Sequence, residues 1–197
     1  MSPIGLPPSP LPGLAVVELG AGSEALLQQF FQANPEYFLA VTGAPPNPTD
    51  AHDEIHEGLP PGWPYTRQWV LGYATASGLL AAMANIVTDL LAPGVWHVST
   101  FIVATQRHGS GDAAALFNGL QACAIAHGAQ WLRLGVVAGH ARAERFWSGR
   151  GFSQVRLRVG VPMGARSNTV RVMIKPLAGG TLDDYLARVQ RDRPDAA

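Results

Sequence analysis

The stretch VATQRHGSGDAAALFNGL, residues 103–120, joins an apolar run to a helical pattern through two glycines one residue apart. A strand that enters a glycine-rich turn and then a helix builds an anion site. The first N–H groups of the helix have no backbone partner, and its dipole places partial positive charge at that end. Gly109 and Gly111 allow close backbone approach, with no Cβ in the way. The chemistry expected here is the holding of a phosphate or diphosphate. Two common forms are excluded by spacing. A nucleoside-triphosphate loop needs Gly-x-x-x-x-Gly-Lys-Ser/Thr, and Asp112 follows Gly111 instead. A dinucleotide fold needs Gly-x-Gly-x-x-Gly early in an alternating βαβ chain, and this turn follows a hairpin meander.

Other chemistry-bearing residues read as ordinary structure. HDEIH, residues 52–56, spaces two histidines at i, i+4, with Asp53 where a zinc protease has Glu. It is polar and bracketed by prolines, so it reads as a solvated turn, and no metal is expected. The one cysteine, Cys123, excludes an intrachain disulfide and a cysteine-based zinc site, and reads as a small core residue. Net charge is zero, yet residues 1–100 carry one basic and eight acidic side chains, so the second half is basic. The basic residues are not interleaved with aromatics as in a nucleic-acid surface, so nucleic acid is not an expected partner. No apolar run reaches a membrane-spanning length, and MSPIGLPPSPLPGL has no leader pattern, so no membrane contact and a cytoplasmic location are expected.

The elements that must position the turn follow from periodicity. Five prolines make residues 1–13 a flexible arm. Strands are expected over 14–19, 67–76, 79–89, 95–103, 131–137, 152–161 and 169–175, with Ser77-Gly78 closing a hairpin and 162–168 forming a turn. Helices are expected over 24–34, stopped by Asn34-Pro35, and over 112–127, where Ala113, Leu116, Phe117, Leu120 and Ala124 share one face. A short helix over 141–149 and a last one opened by Thr181 and Asp184 complete the chain, with a helical turn or two over 50–57. The class is α+β: about seven strands in a mixed sheet, flanked by helices. The main domain spans 14–177, and 178–197 is a C-terminal helix and tail.

A second stretch sharpens the reading. Residues 138–155 read AGHARAERFWSGRGFSQV. Together the two stretches resemble the GNAT superfamily of N-acetyltransferases. After a strand ending in Val, that family has Arg/Gln-Gly-x-Gly-x-Gly/Ala at a helix start. Here Val103 precedes His108-Gly109-Ser110-Gly111-Asp112-Ala113. An alternative register, Gln106-x-x-Gly109-x-Gly111, restores the Gln; the first keeps the Val103 spacing and a small residue at Ala113. The family's Asn-x-x-Ala-x-x-Phe-Tyr-x-x-x-Gly-Phe reads His140 to Phe152 here, with Ala143, Phe146 and Trp147 at the matching places.

The resemblance implies a sheet splayed between its fourth and fifth strands, with acetyl-CoA as co-substrate in the V. Phe101, Ile102 and Val103 would pair with the pantetheine amides. His108, Gly109, Ser110, Gly111, Asp112 and Ala113 would cradle the diphosphate, Asp112 pointing to solvent. His140, Ala143, Phe146 and Trp147 would line the thioester end. It implies acetyl transfer to a primary amine of a small molecule or peptide by direct attack in a ternary complex, and it allows a homodimer. Trp147 takes the place of the usual tyrosine acid, and indole offers no titratable proton. His97 stands where some members have a glutamate base, and strand alternation puts it on one face with Ser99, Phe101 and Val103. Asp89 is a second candidate to meet substrate. Glu36, Asp53, Glu54 and Glu57 suggest an acidic pocket for a cationic amine. Trp147 and the missing glutamate leave the alternative of a catalytically inactive acyl-CoA-binding module.

Overall fold

In a computed structural model that describes residues 5–196, the seven expected strands form one sheet in the order β1-β2-β3-β4-β5-β7-β6. They are β1 (Leu14–Glu18), β2 (Arg67–Thr75), β3 (Leu80–Thr88), β4 (Val95–Val103), β5 (Trp131–Val137), β6 (Ser153–Met163) and β7 (Arg166–Pro176). Every neighbouring pair is antiparallel except β4 with β5. That one parallel pair needs a crossover, which α4 (Asp112–Ala126) supplies. Its Leu116, Phe117, Leu120 and Ala124 are buried against one face of the sheet, with α5 (Ala141–Gly149) beside it. The other face carries α1 (Glu24–Ala33), α2 (Glu36–Val41) and α3 (Asp50–His56), which bury Leu27, Phe30, Phe31 and Phe38 with Met83 and Ile102. β3, an interior strand between β2 and β4, is buried throughout.

Three sequence expectations are corrected. Asn34-Pro35 ends α1 but also begins α2, because proline suits a helix start as well as it breaks a helix interior. The 162–168 turn shrinks to Gly164-Ala165, since Val161, Pro162 and Met163 pair with Asn168, Ser167 and Arg166; Pro162 is tolerated because β6 is an edge strand. In the C-terminal segment the expected helix forms as α6 (Leu182–Arg188), but residues 189–192 of the expected tail pack as well, a 3-10 turn that helps bury Tyr185, Val189 and Asp192 against β5 and β7. Thr181 caps α6 as expected, its hydroxyl oxygen accepting from Asp184 N at 3.1 Å.

At the N-terminal end, residues 1–4 of the expected arm lie outside the described residues. Of the rest, Pro7 is buried beside Trp69, Trp96 and Phe117, and Pro10 meets Gly119 of α4. Among the described residues no helix is long and apolar enough to cross a membrane.

Candidate active site

β4 and β5 pair only from Val95↔Trp131 to Val98↔Leu134. Beyond that, β4 stays with β3 as far as Ala82↔Val103, and β5 stays with β7 as far as Val137↔Val170. Each strand follows its own half of the sheet, and a cleft of about 740 Å³ opens between them. The split begins at a bulge. Asn85 pairs with Thr100 and Ile86 with Val98, so Ser99 is the extra residue of β4. Its buried hydroxyl has no partner among the described residues, and Ser99 lines the cleft.

The bulge overturns the alternation that grouped His97 with Phe101 and Val103. Trp96 and Val98 share the core cluster that Val103 joins and Phe101 packs against, and His97 lies on the other register. His97 still lines the inner end of the cleft. Its Nδ1 lies 3.1 Å from Arg133 O and 3.4 Å from Arg133 Nη1. Burial and the Arg133 charge push its pKa down to about 3, so the ring is neutral near pH 7 and a weak base. Asp89 is elsewhere: it sits at φ 54° in the turn before β4, where its Oδ1 accepts from Gly94 N at 2.7 Å.

At the mouth of the cleft, α4 begins with Gly111 at φ 92° and Gly109 precedes it at φ 83°. Phe101, Ile102, Val103, His108, Gly109, Gly111, Ala113, His140, Ala143, Phe146 and Trp147 all line this one space. Ser110 and Asp112 turn aside. Ser110 Oγ donates to Arg107 O at 2.7 Å, and Asp112 forms an ion pair with Arg107 at 2.7 Å instead of facing open solvent. That pair takes a carboxylate off the anion path. His108 Nε2 donates to Val103 O at 2.8 Å, which ties the loop to the end of β4. Trp147 is buried among Phe117, Phe146 and Phe152, at centroid distances of 5.2, 4.9 and 5.4 Å, and so wedges α5 under the sheet.

The expected acidic pocket does not form. Of its four carboxylates only Glu36 lines the cleft, and it accepts from Thr105 Oγ1 at 2.6 Å. Glu54 lies under β3 and β4, where Asn85 Nδ2 donates to it at 2.7 Å. Burial raises its pKa, against the bonds from Asn85 and Thr100. A carboxyl that holds its proton more tightly folded than unfolded loses stability for the fold as pH rises through the elevated value. Glu54→Gln keeps an acceptor for Asn85 and removes the buried charge. Thermal unfolding of the variant is expected to show a midpoint at or above the wild type at pH 8, and a flatter dependence from pH 5 to 8. A wild-type midpoint that climbs through that range while the variant's stays flat would contradict this.

Trp63, read from the sequence as a core or pocket-wall residue, lines the cleft; sequence reasoning missed Tyr37, Arg133, Arg142 and Arg158, which line it too. Arg133 had a visible signal: a lone charge in the apolar strand WLRLGVV. Tyr37, pushed up to about 12 by burial and the neighbouring Glu54 charge, keeps its phenol proton. Glu24, His52 and His56 bring ligand atoms within 4.8 Å of one another, on α1 and α3 and outside the cleft; His56 Nε2 lies 2.8 Å from Glu24.

A mixed sheet split at its one parallel pair, with a helix N-terminus at the mouth of the split, is the GNAT fold. No protein-family model and no curated protein matches the sequence. Solved structures do match. The Escherichia coli ribosomal-protein-S18-alanine N-acetyltransferase is 15% identical, with 86% of this chain and 97% of that one covered at a TM-score of 0.62. A GCN5-related N-acetyltransferase from Kribbella flavida is 20% identical, with 84% and 98% covered at 0.61. Spermidine N-acetyltransferase from Vibrio cholerae, in complex with CoA and spermine, is 16% identical, with 83% and 95% covered at 0.62.

Proposed function

We propose that this protein is an N-acetyltransferase that moves an acetyl group from acetyl-CoA to a primary amine. One observation carries the reading: the β4–β5 pair opens at Val98 and Leu134 with the start of α4 at its mouth. The edge of β4 beyond the split has strand hydrogen-bonding groups with no strand partner on that side, so an extended amide chain such as pantetheine can pair there. The amides of Gly109 to Ala113 would meet the diphosphate. The thioester would then lie near Ser99. The amine nitrogen attacks the thioester carbon, the C–N bond forms, the C–S bond breaks, the nitrogen gives up one proton to water, and the thiolate leaves.

The side chains at the split favour attack by an amine that arrives neutral. His97 is too weakly basic to strip an ammonium efficiently near neutrality. Trp147 has no titratable proton and the Tyr37 phenol holds its own tightly, so the thiolate would take its proton from water. A homodimer across the edge strand β6, where Leu157 and Val159 are exposed, belongs to the same reading.

Thermal unfolding with acetyl-CoA is the test. At ~100 times Kd, binding adds roughly 2.7 kcal/mol, which in a domain of this size raises Tm by about 5–10 °C. Thiol release on adding a panel of primary amines completes it. No shift at millimolar acetyl-CoA, with no thiol released, would overturn the proposal.

A further inference from the structure

The inner end of the cleft, beside His97, is cationic. Arg133 from β5 and Arg158 from β6 both line it, with the ring of Trp63 next to them. Arg191 packs on that ring at 3.9 Å, and Arg133 and Arg158 lie 5.5 and 5.7 Å from its centre. Arg156 donates to the carbonyls of Arg191 and Ala196. Four guanidinium groups are gathered here, and among the described residues the one carboxylate paired with any of them is Asp192.

Asp192 is already committed. Arg133 Nε and a terminal nitrogen donate to it at 2.7 and 3.1 Å, and Tyr185 Oη at 2.6 Å. Arg158 reaches it only at 3.5 Å, beyond an ordinary hydrogen bond. Among the described residues the buried Arg158 Nε has no partner, and the side chain is 24% exposed. Burial and the nearby Arg191 and Arg133 charges outweigh the Asp192 charge and hold its pKa below the usual guanidinium range. The cleft's own carboxylate, Glu36, is bound at Thr105, past the opposite end of β4.

We infer that the acceptor amine carries a carboxylate, as an amino acid does, and that Arg158 is the residue that receives it. This rests on the N-acetyltransferase reading. A guanidinium fork matches a carboxylate with two parallel hydrogen bonds, and leaving such a cation unpaired in a partly dry cleft is costly. Trp63 gives the acceptor's carbon chain an apolar wall. The charge that the first half of the sequence suggested, a cationic acceptor, is reversed because the basic second half supplies the inner wall.

The test is an acceptor panel with the full chain at fixed acetyl-CoA: α- and ω-amino acids, their carboxamides, unsubstituted alkylamines, a diamine and an aminoalkyl phosphonate. The carboxylates are expected to exceed their carboxamides by ~30-fold or more in kcat/KM, the scale of an unpaired charged partner. Arg158→Gln is expected to bring that ratio to within a few-fold, and Arg158→Lys to restore part of it. Acetyl-CoA affinity and Tm should stay near the wild type in both, since Arg133 and Tyr185 still hold Asp192. A wild-type preference for neutral amines, diamines or the phosphonate overturns the acceptor assignment. Equal loss across the whole panel in Arg158→Gln overturns the role of Arg158. Consumption of plain alkylamines but not of amino acids overturns the acceptor assignment alone, whereas failure to bind acetyl-CoA or to consume any amine overturns the transferase reading and this inference together.

Discussion

Asp192→Ala is expected to destabilise the fold by ~3–5 kcal/mol, because it strands a buried guanidinium. Arg133 is 5% exposed and Asp192 0% exposed at the side chain. Arg133 gives Asp192 two hydrogen bonds and the Tyr185 hydroxyl gives it a third. Removing the carboxylate leaves all three donors without that acceptor in a site where water does not replace it. At ~2–4 °C per kcal/mol for a domain of this size, Tm should fall by about 6–20 °C. Asp192→Asn retains an oxygen but not the charge, and should lose less. Burial alone would raise the Asp192 pKa, but the Arg133 bond and charge outweigh it and hold the carboxyl below its ordinary value of 3.8. A group depressed in the folded state stabilises above its unfolded pKa and loses that contribution as pH falls through the folded one. The pair should therefore hold above about pH 4 and fail in stronger acid, and the variant should lack that acid limb. Chemical denaturation across pH measures both. A loss under ~1 kcal/mol would mean that Arg133 finds another partner.

Gly111→Val should weaken acetyl-CoA binding by ~30-fold or more, equivalent to about 2 kcal/mol. At φ 92° the backbone lies where side chains other than glycine are strained, and β-branched ones most. No heavy atom lies within 4 Å of an added Cβ, so the protein itself has room for it. The damage would come from the shifted amides and from a side chain at the mouth of the cleft. Gly111→Asn separates the two, since asparagine tolerates this conformation. It should unfold near the wild-type temperature and still bind more weakly. Calorimetric titration reads the affinity. If the valine variant bound acetyl-CoA as the wild type does, the diphosphate would have to sit away from this turn.

The parts legible in the sequence are those written in local pattern. Leu116, Phe117, Leu120 and Ala124 recur at helical spacing and are the buried face of α4. Ser77-Gly78 closes the β2–β3 hairpin, with Gly78 N donating to Thr75 O at 2.9 Å. The glycine turn and the His140–Phe152 stretch do meet around one cleft, because a βα crossover brings them to the same end of the sheet. What was not legible depends on partners distant in sequence. Nothing in VWHVSTFIV marks Ser99 as a bulge, so alternation misplaced His97. Glu54 is a short step from Glu36 in the chain, yet its carboxylate belongs to Asn85. The cationic wall joins β5, β6 and the last turn, three segments that no local spacing connects.

The Arg133–Asp192 pair spans 59 residues of chain. A ribosome working at ~5–20 residues per second takes roughly 3–12 s to make that interval. Throughout it, β5 has been synthesised but its arginine has no counter-ion to be buried with. The antiparallel strands β2 to β4 can settle at once, as each pairs with the strand next to it in sequence. The half of the sheet built on β5 has to wait for residue 192. The newborn chain is thus committed on one side of the future cleft before the other side can close, and an interruption of synthesis before that residue would leave a half-sheet with an open apolar edge, the kind of surface chaperones bind.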